Sequence, residues 1–174
     1  GSIVLDREND KAYCALSPRA DEELFIEFCE DFEYTPVIFE AFQTVCTERK
    51  LIYHTNVMMS VGETFAIICA ESIDDKKERK IVLDSLRGDE KEIILITEEQ
   101  VNNFAGNMLE VRGADDKRYL VMSTSAYKSL TKKQIAQIEE HVTILSSSLD
   151  TIEACGGGSA RCMMAEIFLP KKQD

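Results

Sequence analysis

The chain is poor in basic charge: 20 lysines and arginines stand against 32 aspartates and glutamates, a formal net charge of −12 over 174 residues. Binding to nucleic acid or to an anionic membrane needs a phosphate-neutralising patch, and here the basic residues are scattered apart from short runs such as Lys76-Lys77 and Lys171-Lys172. Those two partner classes are excluded, and a small polar metabolite or another protein is the expected partner. No apolar run approaches the length needed to cross a bilayer, and the first residues lack a basic-then-apolar leader pattern. Only two histidines are present, and none of the six cysteines is spaced as C-x-x-C, which leaves a zinc site few ligands. Neither a metal nor a cofactor is expected.

Apolar residues make up 44% and charged residues 30% of the chain, which excludes disordered and collagen-like classes and suits one domain. The even number of cysteines (Cys14, Cys29, Cys46, Cys69, Cys155, Cys162) raises the question of disulfides. With no leader pattern, reduced thiols and a cytoplasmic location are expected. Cys29 and Cys69 lie inside apolar runs, where a free cysteine behaves as a small core hydrophobe.

One pattern recurs along the chain: two short strands, a helix, then a strand. In the first unit Ile3-Val4-Leu5 and Ala12 to Leu16 read as strands around the polar turn Asp6 to Asp10. Ser17 and Pro18 are expected to open a helix as cap and first-turn proline, with Leu24, Phe25, Phe28, Cys29 and Phe32 at helical spacing. Pro36 to Phe42 closes the unit, and 43–50 reads as a polar connection. In the second unit Leu51 to Met59 and Phe65 to Ala70 flank a turn at Gly62-Glu63. Asp75 with Glu78 resembles a capping box for a helix burying Ile81, Val82 and Leu86. Glu92 to Ile96 is a strand, and Thr97 with Gln100 caps a short helix. The third unit comprises Met108 to Arg112, Arg118 to Met122, a helix boxed by Thr131 and Gln134, and a strand Val142 to Leu145. After a short helix or turn near Leu149 to Ile152 come three glycines and an expected strand Ala160 to Leu169. The modules run roughly 1–48, 49–104 and 105–147, with a closing segment 148–174 in a single domain. Three units and part of a fourth imply an incomplete repeat architecture, because such units bury their faces against neighbours.

Several residues could carry chemistry, and each has a plainer reading beside it. His54, in Tyr53-His54-Thr55-Asn56, is read within a strand, where a lone histidine is more often a satisfied structural group. His141 ends a helix, where a surface role is sufficient. Gly156-Gly157-Gly158-Ser159-Ala160-Arg161-Cys162 lets backbone approach a ligand closely, and a cation beside a thiol favours the thiolate. The plainer reading is a flexible turn before a buried strand. The glycines lack the lysine-serine ending of a phosphate loop. Arg19, at a strand-to-helix junction, could grip a carboxylate in its fork or simply be solvated. Asn107, among the small residues of Phe104-Ala105-Gly106-Asn107-Met108, could orient a ligand or tie a turn.

At these residues the chain resembles the guanidine-modifying superfamily that includes dimethylarginine dimethylaminohydrolase, arginine deiminase and the amidinotransferases. The likeness is strongest to the arginine-deiminase-related, citrulline-utilisation branch. Tyr53 to Met59 (YHTNVMM) resembles the segment holding that family's acid/base histidine, and Gly156 to Glu166 (GGGSARCMMAE) the segment holding its nucleophilic cysteine. Phe104 to Leu109 is similar to its alanine-asparagine-leucine segment. Leu16 to Glu23 is similar to the stretch whose arginine holds a substrate carboxylate, with Ala20 where threonine is usual.

The resemblance implies an α/β fold, a pentein-type propeller of ββαβ modules of which this chain carries the C-terminal three-fifths. It implies Cys162 and His54 as catalytic residues. It also implies substrate contacts from Arg19, Asn107, Asn56, Gly157, Gly158, Ser159 and Arg161, and no metal. The family's acidic partner and nitrogen-gripping residues fall upstream of Gly1. The implied activity is hydrolysis of the guanidino or ureido C–N bond of a small arginine-like molecule: citrulline, arginine or a methylarginine. The alternatives are a non-catalytic pentein module that binds a metabolite or partner, and an amidinotransferase. Association with the missing modules, with a second chain or with another copy of itself is expected, because an open propeller exposes unpaired strands and apolar faces.

Overall fold

The computed structural model describes residues 1–167. Ile3–Asp6 (β1) buries alternate side chains and runs antiparallel to Lys11–Leu16 (β2), with Asp6 opposite Lys11 across the turn. β2 is covered on both faces: Tyr13 and Ala15 enter the main core, while Ala12 and Cys14 meet Phe25 and Cys29 of the first helix. A strand buried on both sides is what a parallel neighbour joined by a covering helix produces. Glu22–Asp31 (α1) is that helix, and Thr35–Glu40 (β3) returns parallel to β2.

The helix does not begin at Ser17 and Pro18. Ser17 and Ala20 close a backbone turn on each other, and the Ser17 hydroxyl accepts from the Arg19 amide at 3.1 Å within that turn while donating to the Tyr53 carbonyl at 3.0 Å, so it ties the turn and does not cap α1. Asp21 caps instead, accepting from the Leu24 amide at 3.0 Å. Residues 43–50 are also more regular than their polarity predicts. Phe42–Val45 (β4) and Glu48–Leu51 (β5) form a hairpin turning at Cys46, whose φ of 58° is left-handed. Its Arg49 is ion-paired with Asp74 and Glu98.

The expected strand from Leu51 to Met59 is broken. Thr55–Val57 makes a 3-10 turn because the Thr55 hydroxyl accepts from the Ala15 amide at 2.8 Å and donates to the Ser2 carbonyl, which bends the backbone out of a ladder. Met59–Val61 (β6), Phe65–Ile68 (β7), Lys76–Gly88 (α2) and Glu92–Leu95 (β8) then repeat the first arrangement, β6 antiparallel and β8 parallel to β7. Asp75 caps α2, but the Glu78 carboxylate leaves the box to accept from the Glu40 amide at 2.8 Å. Val82 and Leu86 are buried. Ile81, one residue off their stripe, is 57% exposed, against expectation.

Glu98–Asn102 (α3) leads to the third sheet. Leu109–Arg112 (β9) is antiparallel to Arg118–Ser123 (β10), and Thr143–Ser147 (β11) is parallel to β10. Thr124–Ser129 (α4) and Lys132–Glu139 (α5) make the crossover. Of the three expected boxes, Thr97/Gln100 and Thr131/Gln134 are present and Asp75/Glu78 is not. Their glutamines also bond each other, Gln100 Nε2 donating to Gln134 Oε1 at 2.8 Å, and so join the second unit to the third.

One apolar core, with Tyr13, Phe39, Ile52, Met58, Phe65 and Leu120 among its members, runs through the three three-stranded sheets. The first two units are further tied by an ion pair between Asp6 and Lys91 at 3.1 Å, both side chains fully buried. Lys91 Nζ also donates to the Gly62 and Glu63 carbonyls at 2.9 and 3.0 Å, so the cation is fully coordinated.

After β11, Asp150–Gly156 (α6) is followed by a 3-10 turn, Ala160–Met163. The expected strand from Ala160 is therefore absent as far as Ile167, and its last two residues, Phe168 and Leu169, lie outside the described residues. A turn replaces the strand because the Cys162 amide bonds back to the Ser159 carbonyl at 3.1 Å. Among the described residues no helix is long and apolar enough to cross a membrane.

Candidate active site

His54 and Cys162 each sit in or beside a 3-10 turn rather than in the strands predicted for them. Both line one cavity of about 400 Å³, together with Gly1, Ile3, Asn56, Leu109, Arg161, Met164, Ala165 and Glu166. The two residues most expected to act together, 108 positions apart, therefore face the same space.

His54 is half-buried, and its ring stands 5.0 Å from the Tyr53 ring. Burial, reinforced by the positive charge of Arg19, pulls the imidazole below its ordinary pKa. A neutral imidazole at physiological pH is a base ready to accept a proton.

Cys162 is solvent-exposed. The Asn107 carboxamide lies against its sulfur, Nδ2 at 3.2 Å as donor and Oδ1 at 3.5 Å as acceptor for the thiol proton. The same Nδ2 donates to the Asn56 carbonyl at 3.2 Å. Asn107 is 3% exposed and is held there by Gly106: a Cβ at Gly106 would meet the Val57 carbonyl oxygen and lie 2.9 Å from Met58 Cα. Only glycine lets this segment press onto the backbone that follows His54. Gly158 plays a related part, since a Cβ there would lie 3.2 Å from Cys162 Sγ. Gly157 ends α6 in the left-handed region, φ 66°, and its carbonyl accepts from the Tyr53 hydroxyl at 3.4 Å.

Asn56 is 5% exposed and lines the cavity. Its side-chain oxygen is buried and has no hydrogen-bond partner among the described residues. Arg161 also lines the cavity and donates to the Met108 carbonyl at 3.3 Å. Burial pulls its guanidinium down from its ordinary value, while Glu166 and Cys162 pull the other way.

The remaining expected contacts are placed differently. Asn107, Gly157, Gly158 and Ser159 are not among the residues that line the cavity. Ser159 is fully buried, its hydroxyl donating to Glu153 at 2.6 Å. Arg19 is exposed, with its guanidinium 5.2 Å from the Tyr53 ring centroid, and it does not line the cavity. Glu153 and Glu166 were not singled out from sequence. Glu166 stood inside the glycine-to-glutamate motif, whereas nothing local marked Glu153. Among the described residues no cluster of histidine, cysteine, aspartate and glutamate could hold a metal ion.

Among solved structures the chain is similar to ArgZ, an arginine dihydrolase from the ornithine-ammonia cycle in cyanobacteria, in its apo form. The TM-score is 0.69 at 14% identity, over 94% of this chain and 23% of that one. A mutant of the ArgZ N-terminal domain bound to substrate matches with a TM-score of 0.67 at 15% identity, over 92% of this chain and 53% of the other. AgrE, in a ternary complex with ornithine and NAD+, matches with a TM-score of 0.66 at 16% identity, over 94% and 21%. The chain thus spans about half of the ArgZ N-terminal domain and about a quarter of whole ArgZ. No curated protein sequence matches it. The repeated three-stranded mixed sheets with covering helices are the pentein fold of these neighbours. The family model described as N,N dimethylarginine dimethylhydrolase, eukaryotic, matches residues 1–169, and the chain belongs to that family within the pentein superfamily.

Proposed function

We propose that the chain is the thiol-bearing part of a hydrolase acting on the guanidino or ureido carbon of a small arginine-like molecule. The observation that carries the reading is the shared cavity of His54 and Cys162. In this reading the imidazole takes the Cys162 thiol proton, and Sγ attacks the planar carbon to form a C–S bond. The C–N bond to the departing amine or ammonia then breaks as His54 returns the proton to that nitrogen. Water, deprotonated by the same imidazole, adds to the carbon and expels the thiolate. Asn107 steadies the sulfur, and the unpartnered Asn56 oxygen accepts from a substrate N–H. Arg161 and the Gly157–Ser159 backbone shape the wall. Arg19 anchors the substrate carboxylate, which requires its side chain to leave the Tyr53 ring.

Family membership favours a methylarginine, with arginine and citrulline as the other candidates. Attack on the intermediate by an amine instead of water would make the chain an amidinotransferase. All six cysteines are free, which fits a reducing, cytoplasmic setting.

In this proposal the rest of the site comes from further modules, which the match to only 53% of the comparable ArgZ domain supports. Leu24 on α1, Phe32 just past its end (65% and 62% exposed) and Leu145 on β11 (46%) offer apolar faces for the remaining modules, a second chain or another copy. A purely binding role is favoured by one observation, the position of Arg19 away from the cavity.

Intact-mass spectrometry before and after a haloacetamidine, which mimics a guanidinium and alkylates an activated thiol, tests the reading. One adduct, lost in Cys162→Ser and suppressed by arginine, citrulline or a methylarginine, is the expected result. No adduct on the chain, alone or with a co-purifying polypeptide, moves the binding role to the front.

A further inference from the structure

The loop that carries Cys162 is anchored by a carboxylate outside the cavity. Glu153, on α6, receives two hydroxyl donors, one on each oxygen: Ser159 Oγ at 2.6 Å and Ser125 Oγ at 2.8 Å. Ser125 belongs to α4, part of the body of the third unit. Ser159 is fully buried, and its carbonyl accepts from the Cys162 amide at 3.1 Å. The Glu153 carbonyl in turn accepts from the Gly157 amide at 3.2 Å, where the chain turns left-handed. Both ends of the Gly156–Ser159 loop therefore return to one residue. Two oxygens that each take a hydroxyl proton are met by an ionised carboxylate, whereas an amide offers one acceptor only.

We propose that Glu153 is a positioning residue for Cys162: by gripping Ser159 against α4 it fixes the turn that sets the thiol against the Asn107 amide. The inference rests on Cys162 being the nucleophile of the proposed reaction, although Glu153 touches no reacting atom. Four glycine-rich residues would otherwise sample many backbone states, and a nucleophile needs its attack direction defined to a fraction of an ångström. A loosened loop would leave an ordinary exposed thiol, comparable to Cys46 in the β4–β5 hairpin.

Cys46 is therefore an internal reference. Native protein is alkylated with iodoacetamide over a time course, and both sites are followed by peptide mass mapping. In the wild type Cys162 is expected to react faster than Cys46. Glu153→Gln and Ser159→Ala are each expected to bring the ratio down about tenfold, the worth of one hydrogen bond, toward the reference rate. The double variant is expected to be no slower than the slower single one, because both remove the same contact. A merely structural Glu153 would lower the melting temperature and leave the ratio where it was, and that result overturns the proposal. Multiplying effects in the double variant overturn it as well. Should Glu153→Gln fail to fold, Ser125→Ala frees the carboxylate from α4 while sparing its grip on Ser159, and a fall in the ratio is again expected; an unchanged ratio overturns the proposal. A wild-type Cys162 no faster than Cys46 removes the nucleophile reading itself, a failure distinct from a fast Cys162 indifferent to Glu153.

Discussion

Asn107 Nδ2 lies 3.2 Å from Cys162 Sγ, and the same nitrogen lies 3.2 Å from the Asn56 carbonyl. One buried amide therefore holds the thiol and the segment that carries the histidine at a fixed separation. Asn107→Ala is expected to slow any Cys162-dependent turnover by about ten- to a hundredfold, the loss of one or two hydrogen bonds at about 1.4 kcal/mol per decade. Steady-state kinetics with the assembled protein check this, and the effect is expected in kcat more than in KM, because Asn107 does not line the cavity.

Gly106→Ala places a methyl group against backbone atoms, the Val57 carbonyl oxygen and Met58 Cα, which cannot rotate away. Overpacking of this kind costs about 1–3 kcal/mol. Urea denaturation should show the midpoint fall with the slope unchanged, and Cys162 reactivity should fall with it as Asn107 shifts.

His54 gives a pH dependence of definite sign. Its folded-state pKa is lowered, first by burial and then by Arg19, so the unfolded chain binds this proton more tightly. The stability it contributes is complete above the unfolded value of about 6.5 and is lost as pH falls from there through the folded pKa. Thermal melts of wild type and His54→Gln are expected to converge as pH falls through that window and to keep a constant difference above it. In a turnover assay the acid limb of kcat/KM should fall below the ordinary histidine range.

The Asp6–Lys91 pair bridges the first two units with no exposure of either side chain. Lys91→Met leaves a buried, unpaired carboxylate and should cost about 3–5 kcal/mol by chemical denaturation. Adding Asp6→Leu to Lys91→Met should recover much of that loss, since the double replacement removes both buried charges.

Local signals were legible in the sequence, and long-range ones were not. The Thr97/Gln100 and Thr131/Gln134 boxes are four-residue patterns, and both formed. α1 starts later than the Ser17-Pro18 pattern predicts because Ser17 is drawn into a turn with Ala20 and tied to the distant Tyr53 carbonyl, which leaves the cap to Asp21. The strands expected at His54 and Cys162 gave way to turns for the same kind of reason. Thr55 bonds Ala15, forty residues away, and the Cys162 turn is anchored through Ser159. His54, Asn56, Arg161 and Cys162 were each recognisable from their motifs, and all four line the cavity. That Asn107 would face Cys162 across 55 residues of sequence, or that Glu153 would hold Ser159, needed the fold.

Neither His54 nor Cys162 belongs to a sheet ladder; each is borne by a single tight turn beside one. A residue in a ladder is bound to the two-residue alternation of its strand, so re-aiming its side chain means flipping every neighbour with it. A residue on a turn carries no such obligation. The two side chains are thus free of the alternation of the sheets. Either can be exchanged, or its loop reshaped, with the register of the three-stranded sheets left as it is.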